Sequence, residues 1–166
     1  MAGLIDLDVV TPLVAALGDA LRAKAWRLAA AESCTGGLLA AACTSMAGSS
    51  DWFERGFVTY SNGAKCEQLG IEASLIATHG AVSEPVANAM AAGALLHSQA
   101  DVAVAVTGIA GPGGAVPGKP VGTVFLALMR RGGAAQAERL QLRGDRAAVR
   151  AETVVVALQR LWLFCA

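Results

Sequence analysis

Two hydroxyls, a thiol and a carboxylate stand side by side in Glu32-Ser33-Cys34-Thr35-Gly36-Gly37, between a short apolar run and a helical pattern. A strand-to-helix turn of this kind sets nucleophiles next to free backbone N–H groups. Tyr60 and Lys65 follow at a polar turn, YSNGAK. A lysine or tyrosine with a lowered pKa accepts the proton of a serine, so Ser33, Tyr60 and Lys65 together describe a serine hydrolase that works without histidine. Spacing alone leaves each a structural role as well: Ser33 as a helix cap, Tyr60 as a strand end, Lys65 as a solvated cation. Cys34 reads as packing more than as a nucleophile, because no histidine lies near it in sequence and buried cysteine is common.

Other chemistries lack part of their machinery. Gly113 to Lys119 has the GxxxxGK form of a phosphate loop, but Pro120 stands where a magnesium-binding hydroxyl is needed, and the segment leads into a strand. Gly108, Gly111 and Gly113 do not make the dinucleotide GxGxxG. Tyr60-Ser61-Asn62 resembles one box of the penicillin-recognising enzymes, yet no Ser-x-x-Lys accompanies it. Cys34, Cys43, Cys66 and Cys165 show neither metal-ligand spacing nor a disulfide framework, and His79 and His97 form no paired motif. No metal site is expected, and a reducing cytoplasm is the expected compartment.

The elements that must position these residues are read from periodicity. Thr11-Pro12 suggests an N-cap and first helical position, with Val10, Leu13, Val14, Leu17 and Leu21 at helical spacing and an end near Lys24. Strands are expected at 26–31, 52–60, 101–108, 121–129 and 135–142; helices at 38–46, 64–69, 72–77 and 84–98. The Arg130 to Gly133 connection makes the last two strands antiparallel, so the sheet is mixed. A long Gly/Pro loop follows Thr107-Gly108, and Asp145 caps a final helix that turns Val149, Thr153, Val156 and Leu161 inward. No linker or repeat divides residues 1–166, which are read as one domain.

Thirteen basic residues balance thirteen acidic ones, which leaves no net field for nucleic acid or an anionic membrane. No apolar run reaches the length of a membrane span, and Asp6 and Asp8 stand where a signal peptide would be basic. With 55% hydrophobic and only 16% charged residues, part of the surface is expected to be covered by a second copy, a dimer before larger assemblies.

Six ordered motifs carry a resemblance: AESCTGG at 31–37, GSSDWFERGFVTYSNGAK at 48–65, HGAVSEP at 79–85, TGIAGP at 107–112, KPVGTV at 119–124 and GDR at 144–146. They cover nearly the whole chain after residue 25 and resemble the CinA C-terminal-domain family. That resemblance implies a three-layer α/β/α fold and hydrolysis of the carboxamide of nicotinamide mononucleotide to nicotinate mononucleotide and ammonia, with no cofactor. It implies that Ser33 attacks, Lys65 takes its proton, and Tyr60 relays protons or keeps the lysine neutral, while N–H groups beyond Thr35-Gly36 stabilise the oxyanion. Arg146, Thr107 and Gly108 would hold the substrate phosphate, and Glu32 would organise the turn. Ser50, in the GSSD stretch, is the rival nucleophile. The larger preceding domain of longer family members is absent from this sequence, and any activity housed there is expected to be absent too. The competing readings are a silent nucleotide-binding module and an interaction module in competence or DNA-damage responses.

Overall fold

Alternating small apolar residues dictate the centre of the molecule. In the computed structural model, which describes residues 7–166, Leu28–Glu32 (β1), Val102–Gly108 (β3) and Thr123–Arg130 (β4) are buried along almost their whole length. Strands buried on both faces need helices on both sides. Phe53–Val58 (β2) and Gln136–Gln141 (β5) are the half-exposed edges, giving the order β2-β1-β3-β4-β5. β1 runs parallel to β2 and β3, whereas β4 is antiparallel to β3 and β5, the mixed sheet foreseen from the Arg130 turn.

The pleat separates two cores. Ala30, Val102, Val104 and Val106 face Leu7–Ala23 (α1), Leu38–Thr44 (α2) and Arg146–Cys165 (α6). Ala29, Ala31, Ala103 and Ala105 face Asn62–Leu69 (α3), Ala73–His79 (α4) and Glu84–Leu96 (α5). The result is an α/β/α sandwich. No helix among the described residues is long and apolar enough to cross a membrane.

Three expectations need correction. α1 begins by Leu7 and Pro12 lies inside it, not at its first position. The buried stripe Val10, Val14, Leu17 and Leu21 rewards continuing the helix on both sides of Pro12, which gives up one ladder bond for want of an N–H. Asp6, which entered the reading of the leader, lies outside the described residues. Val156 is only partly buried, while Val154 and Leu158 are fully so, because the inward stripe of α6 runs through 154, 158 and 161. Lastly, α3 starts at Asn62, two residues before the apolar pattern, because the Ser61 side chain caps it by accepting from the Ala64 N–H at 3.0 Å. Asp145 caps α6 as foreseen, accepting from the Ala148 N–H at 2.9 Å.

Candidate active site

The chain leaves β1 toward β2 on one side and leaves β3 toward β4 on the other, so the carboxyl ends of β1 and β3 part to form a crevice. Open α/β sheets offer their ligand sites at such a switch point. Ser33 is the first residue past β1, held by its N–H to the Val106 carbonyl at 3.0 Å.

Glu32, fully buried at the strand end, decides the shape of the turn. Its carboxylate accepts from the Thr35 hydroxyl at 2.6 Å and from the N–H groups of Gly37 (3.0 Å), Leu39 (3.0 Å) and Ala40 (2.8 Å). A carboxylate at the start of α2 meets the positive end of the helix and satisfies donors that have no partner within it. Gly37 adopts φ 99°, a conformation that a side chain would strain. The N–H groups of the helix start, foreseen as oxyanion donors, are thus occupied by Glu32. The N–H of Gly36 goes back to the Ser33 carbonyl at 3.1 Å.

Lys65 enters from α3, on the opposite face of the sheet. Its side chain is 1% exposed, and Nζ lies 2.9 Å from Ser33 Oγ, 2.9 Å from the Thr59 carbonyl and 3.3 Å from the Tyr60 carbonyl. No carboxylate takes part in this group of contacts. Burial pushes the Lys65 pKa below the ordinary lysine value, with the thiols of Cys34 and Cys66 opposing that shift. Desolvation drives the Cys34 thiol the other way, up to about 12, so it stays protonated and is a poor nucleophile.

Tyr60 meets Lys65 through its backbone. Its side chain is 61% exposed and its hydroxyl accepts from Arg146 Nη2 at 2.9 Å. Arg146, in the first turn of α6, also donates to the Gly111 carbonyl at 2.8 Å. Thr107 is buried and spends its hydroxyl on the Ala81 carbonyl at 2.9 Å, tying the loop before α5 to the end of β3. At Gly108, a Cβ would lie 2.6 Å from Val124 Cγ2, 3.0 Å from the Thr123 carbonyl and 3.2 Å from Cys34 Sγ, so no side chain fits.

Ser33, Tyr60, Lys65, Thr107, Gly108 and Arg146 line one cleft of about 240 Å³. A larger recess of about 750 Å³, bounded by Pro112, Val121, Ala147 and Arg150, adjoins it and shares Ala110 and Arg146. Glu32, Thr35 and Gly36 stand behind the cleft in the turn. Ser50 does not join them: it is exposed in the short 3-10 turn Ser49–Asp51 before β2, while Ser33 follows the carboxyl end of the parallel β1. The length of β2, about 20 Å for six residues, separates the two. Arg150, absent from the sequence reading, donates to the carbonyls of Cys34 at 3.1 Å and Thr35 at 3.0 Å. Its signal was the spacing of four from Arg146, which puts both arginines on one face of a helix. Among the described residues, no group of three or more His, Cys, Asp or Glu is placed to hold a metal ion.

Comparison with known proteins agrees with this architecture. The CinA C-terminal domain family matches residues 10–165. The nicotinamide-nucleotide amidohydrolase PncC of Enterobacter agglomerans is 53% identical over 143 residues, covering 86% of this chain and 87% of that protein. The protein of the same name from Escherichia coli K12 is 51% identical over 146 residues, 88% of each. The crystal structure of a competence-damaged protein (CinA) superfamily protein from Klebsiella pneumoniae superposes with a TM-score of 0.90 at 40% identity, covering 94% of this chain and 97% of that one.

Proposed function

The chain belongs to the CinA C-terminal domain family, and from that premise we propose that it hydrolyses the carboxamide of nicotinamide mononucleotide, using Ser33 as nucleophile and Lys65 as base. The observation that carries this reading is the 2.9 Å contact between Lys65 Nζ and Ser33 Oγ in a buried setting without a carboxylate. A neutral amine has two N–H donors and one lone pair. The carbonyls of Thr59 and Tyr60 can only accept, so they take the two donors, and the lone pair is left for the Ser33 hydroxyl. An ammonium in the same place would forgo water for two neutral carbonyls and a hydroxyl.

Ser33 Oγ attacks the carboxamide carbon while its proton passes to Lys65, which then returns the proton to the departing ammonia. Water, deprotonated by the same lysine, hydrolyses the acyl-serine to the carboxylate and restores Ser33. The overall change is one amide and one water to one acid and one ammonia. Tyr60 supports the lysine through its carbonyl, and its hydroxyl anchors Arg146 at the mouth of the cleft. Arg146, at the positive end of α6 and between the cleft and the adjoining recess, is the phosphate ligand in this reading. Thr107, by contrast, acts as a strut, since its hydroxyl is already taken by Ala81.

The experiment is ammonia release from nicotinamide mononucleotide beside the riboside that lacks the phosphate. Turnover of the first and a much poorer riboside supports both reaction and phosphate recognition; no ammonia from either sinks the reading. Arg146→Ala should raise KM for the mononucleotide and leave the riboside nearly unaffected. Association into a dimer belongs to the same proposal, supported by a composition with 55% hydrophobic and only 16% charged residues. Sedimentation showing only monomer at micromolar concentration would remove it.

A further inference from the structure

The turn that carries Ser33 contains two glycines in the left-handed region and is held from more than one side. Gly36 and Gly37 both have positive φ, at 59° and 99°, and glycine lets peptide planes rotate at little cost. Glu32 secures the far side of the turn through Gly37, Leu39 and Ala40. On the near side the Gly36 N–H bonds the Ser33 carbonyl at 3.1 Å and the Leu38 N–H bonds the Thr35 carbonyl at 3.2 Å, while the Cys34 carbonyl takes its bond from outside the turn, from Arg150.

We propose that Arg150 is a positioning residue that locks the Ser33–Gly36 turn from α6 and so keeps Ser33 Oγ in line with Lys65. The proposal rests on the amide-hydrolysis reading given above. Its guanidinium takes two successive carbonyls, Cys34 at 3.1 Å through Nε and Thr35 at 3.0 Å through Nη2. In a planar trans peptide the C=O and the next N–H point in opposite directions. Drawing the Thr35 carbonyl toward α6 therefore turns the Gly36 N–H away from it and onto the Ser33 carbonyl, where it bonds at 3.1 Å. That bond, with the Ser33 N–H on Val106, holds the serine backbone from both sides.

Direction matters as well. α6 packs with α1 and α2 on one face of the sheet, and Lys65 reaches Ser33 from α3 on the other. Arg150 and Lys65 thus hold the turn from opposite faces, one by its carbonyls and one by its hydroxyl. The rigid two-donor fork suits this task; a lysine there would supply a point charge with no fixed geometry. A 1 Å error in placing a reacting atom costs about 100-fold in rate, which sets the size of the expected effect.

The test compares Arg150→Met and Arg150→Lys with the wild type, on the mononucleotide and on the riboside. Positioning predicts a fall in kcat of roughly 100-fold for Arg150→Met on both substrates, with KM changed less than about threefold. Arg150→Lys should recover only part of it, and added guanidinium should restore turnover to Arg150→Ala. Because Arg150 also borders the larger recess, the rival role is phosphate binding. A loss confined to KM for the mononucleotide would overturn positioning in favour of that role, and an unchanged kcat would overturn it outright. A folding defect is separated by circular dichroism and by the guanidinium rescue, which a misfolded chain would not show. The rate at which a fluorophosphonate labels Ser33 gives a readout independent of the substrate. Labelling slowed in Arg150→Met supports positioning even if the wild type releases no ammonia from the mononucleotide, whereas equal labelling, or none in the wild type, overturns it.

Discussion

The two ends of one sheet carry similar residues and do different things with them. At the amino ends of the strands, Ser50, Asp51 and Arg22 lie in the solvent: Arg22 pairs with Asp19 at 3.3 Å and Asp51 at 3.4 Å, and Trp26 sits between Arg130 (4.6 Å) and Lys24 (5.4 Å). At the carboxyl ends, Ser33, Lys65 and Thr107 are 8%, 1% and 1% exposed. A serine and a cation are present at both. In water the cation stays charged and its ion pairs contribute little. Removed from water, the lysine is pushed below its ordinary pKa, and in the proposed mechanism it serves the nearby hydroxyl as base.

The sharpest way to break this contrast is to exchange which serine is missing. Ser33→Ala should lower ammonia release by about 10⁴-fold or more, as loss of a nucleophile does, while Ser50→Ala should stay within about twofold. The reverse result would move the chemistry to the exposed end. Lys65→Met comes next, with a fall in kcat of about 10³-fold from loss of the general base.

The pH dependence sharpens the same point. Activity should rise with pH through the lowered Lys65 pKa, as the neutral amine becomes populated, and be lost below it. Stability should follow the same sign. Over the interval between the lowered native value and the ordinary unfolded one, the unfolded chain binds more protons, so stability increases with pH. Denaturant midpoints measured across that interval should rise for the wild type and be flatter for Lys65→Met.

Smaller effects test the scaffold. Gly108→Ala at the carboxyl end pushes a Cβ to 2.6 Å from Val124 Cγ2 and should cost about 1–3 kcal/mol, read as a lower Tm together with reduced turnover. Asp51→Ala at the other end removes an exposed ion pair 3.4 Å long. A loss of less than about 1 kcal/mol and no change in activity are expected there.

Much of the fold was legible because it is local. Apolar periodicity placed the five strands and α2 to α5 to within a few residues, and Asp145 and the Arg130 turn announced a cap and an antiparallel pair by their own chemistry. Thr11-Pro12 misled for the same reason: a local start signal sat inside a longer buried stripe, and burial of that stripe outweighed one lost hydrogen bond. At the site, Ser33 and Lys65 were legible as residue types, but nothing in the 31 intervening positions says that they meet at 2.9 Å. Ser50 stood as the rival to the favoured Ser33, and the parallel pairing of β1 and β2 places it before the amino end of β2.

By itself, then, the sequence determined the inventory: two-sided buried strands, amphipathic and capped helices, a hydroxyl-rich turn, and family membership through six ordered motifs. Tertiary structure alone decided the surroundings of each candidate residue. Only the assembled sheet could bury Lys65 among carbonyls, turn the Tyr60 hydroxyl toward Arg146, commit Glu32 to the start of α2 and bring Arg150 from 115 residues away onto the Thr35 carbonyl. The physical reason is that a pKa and a hydrogen-bond partner are properties of surroundings, and surroundings exist only after distant segments have closed on one another.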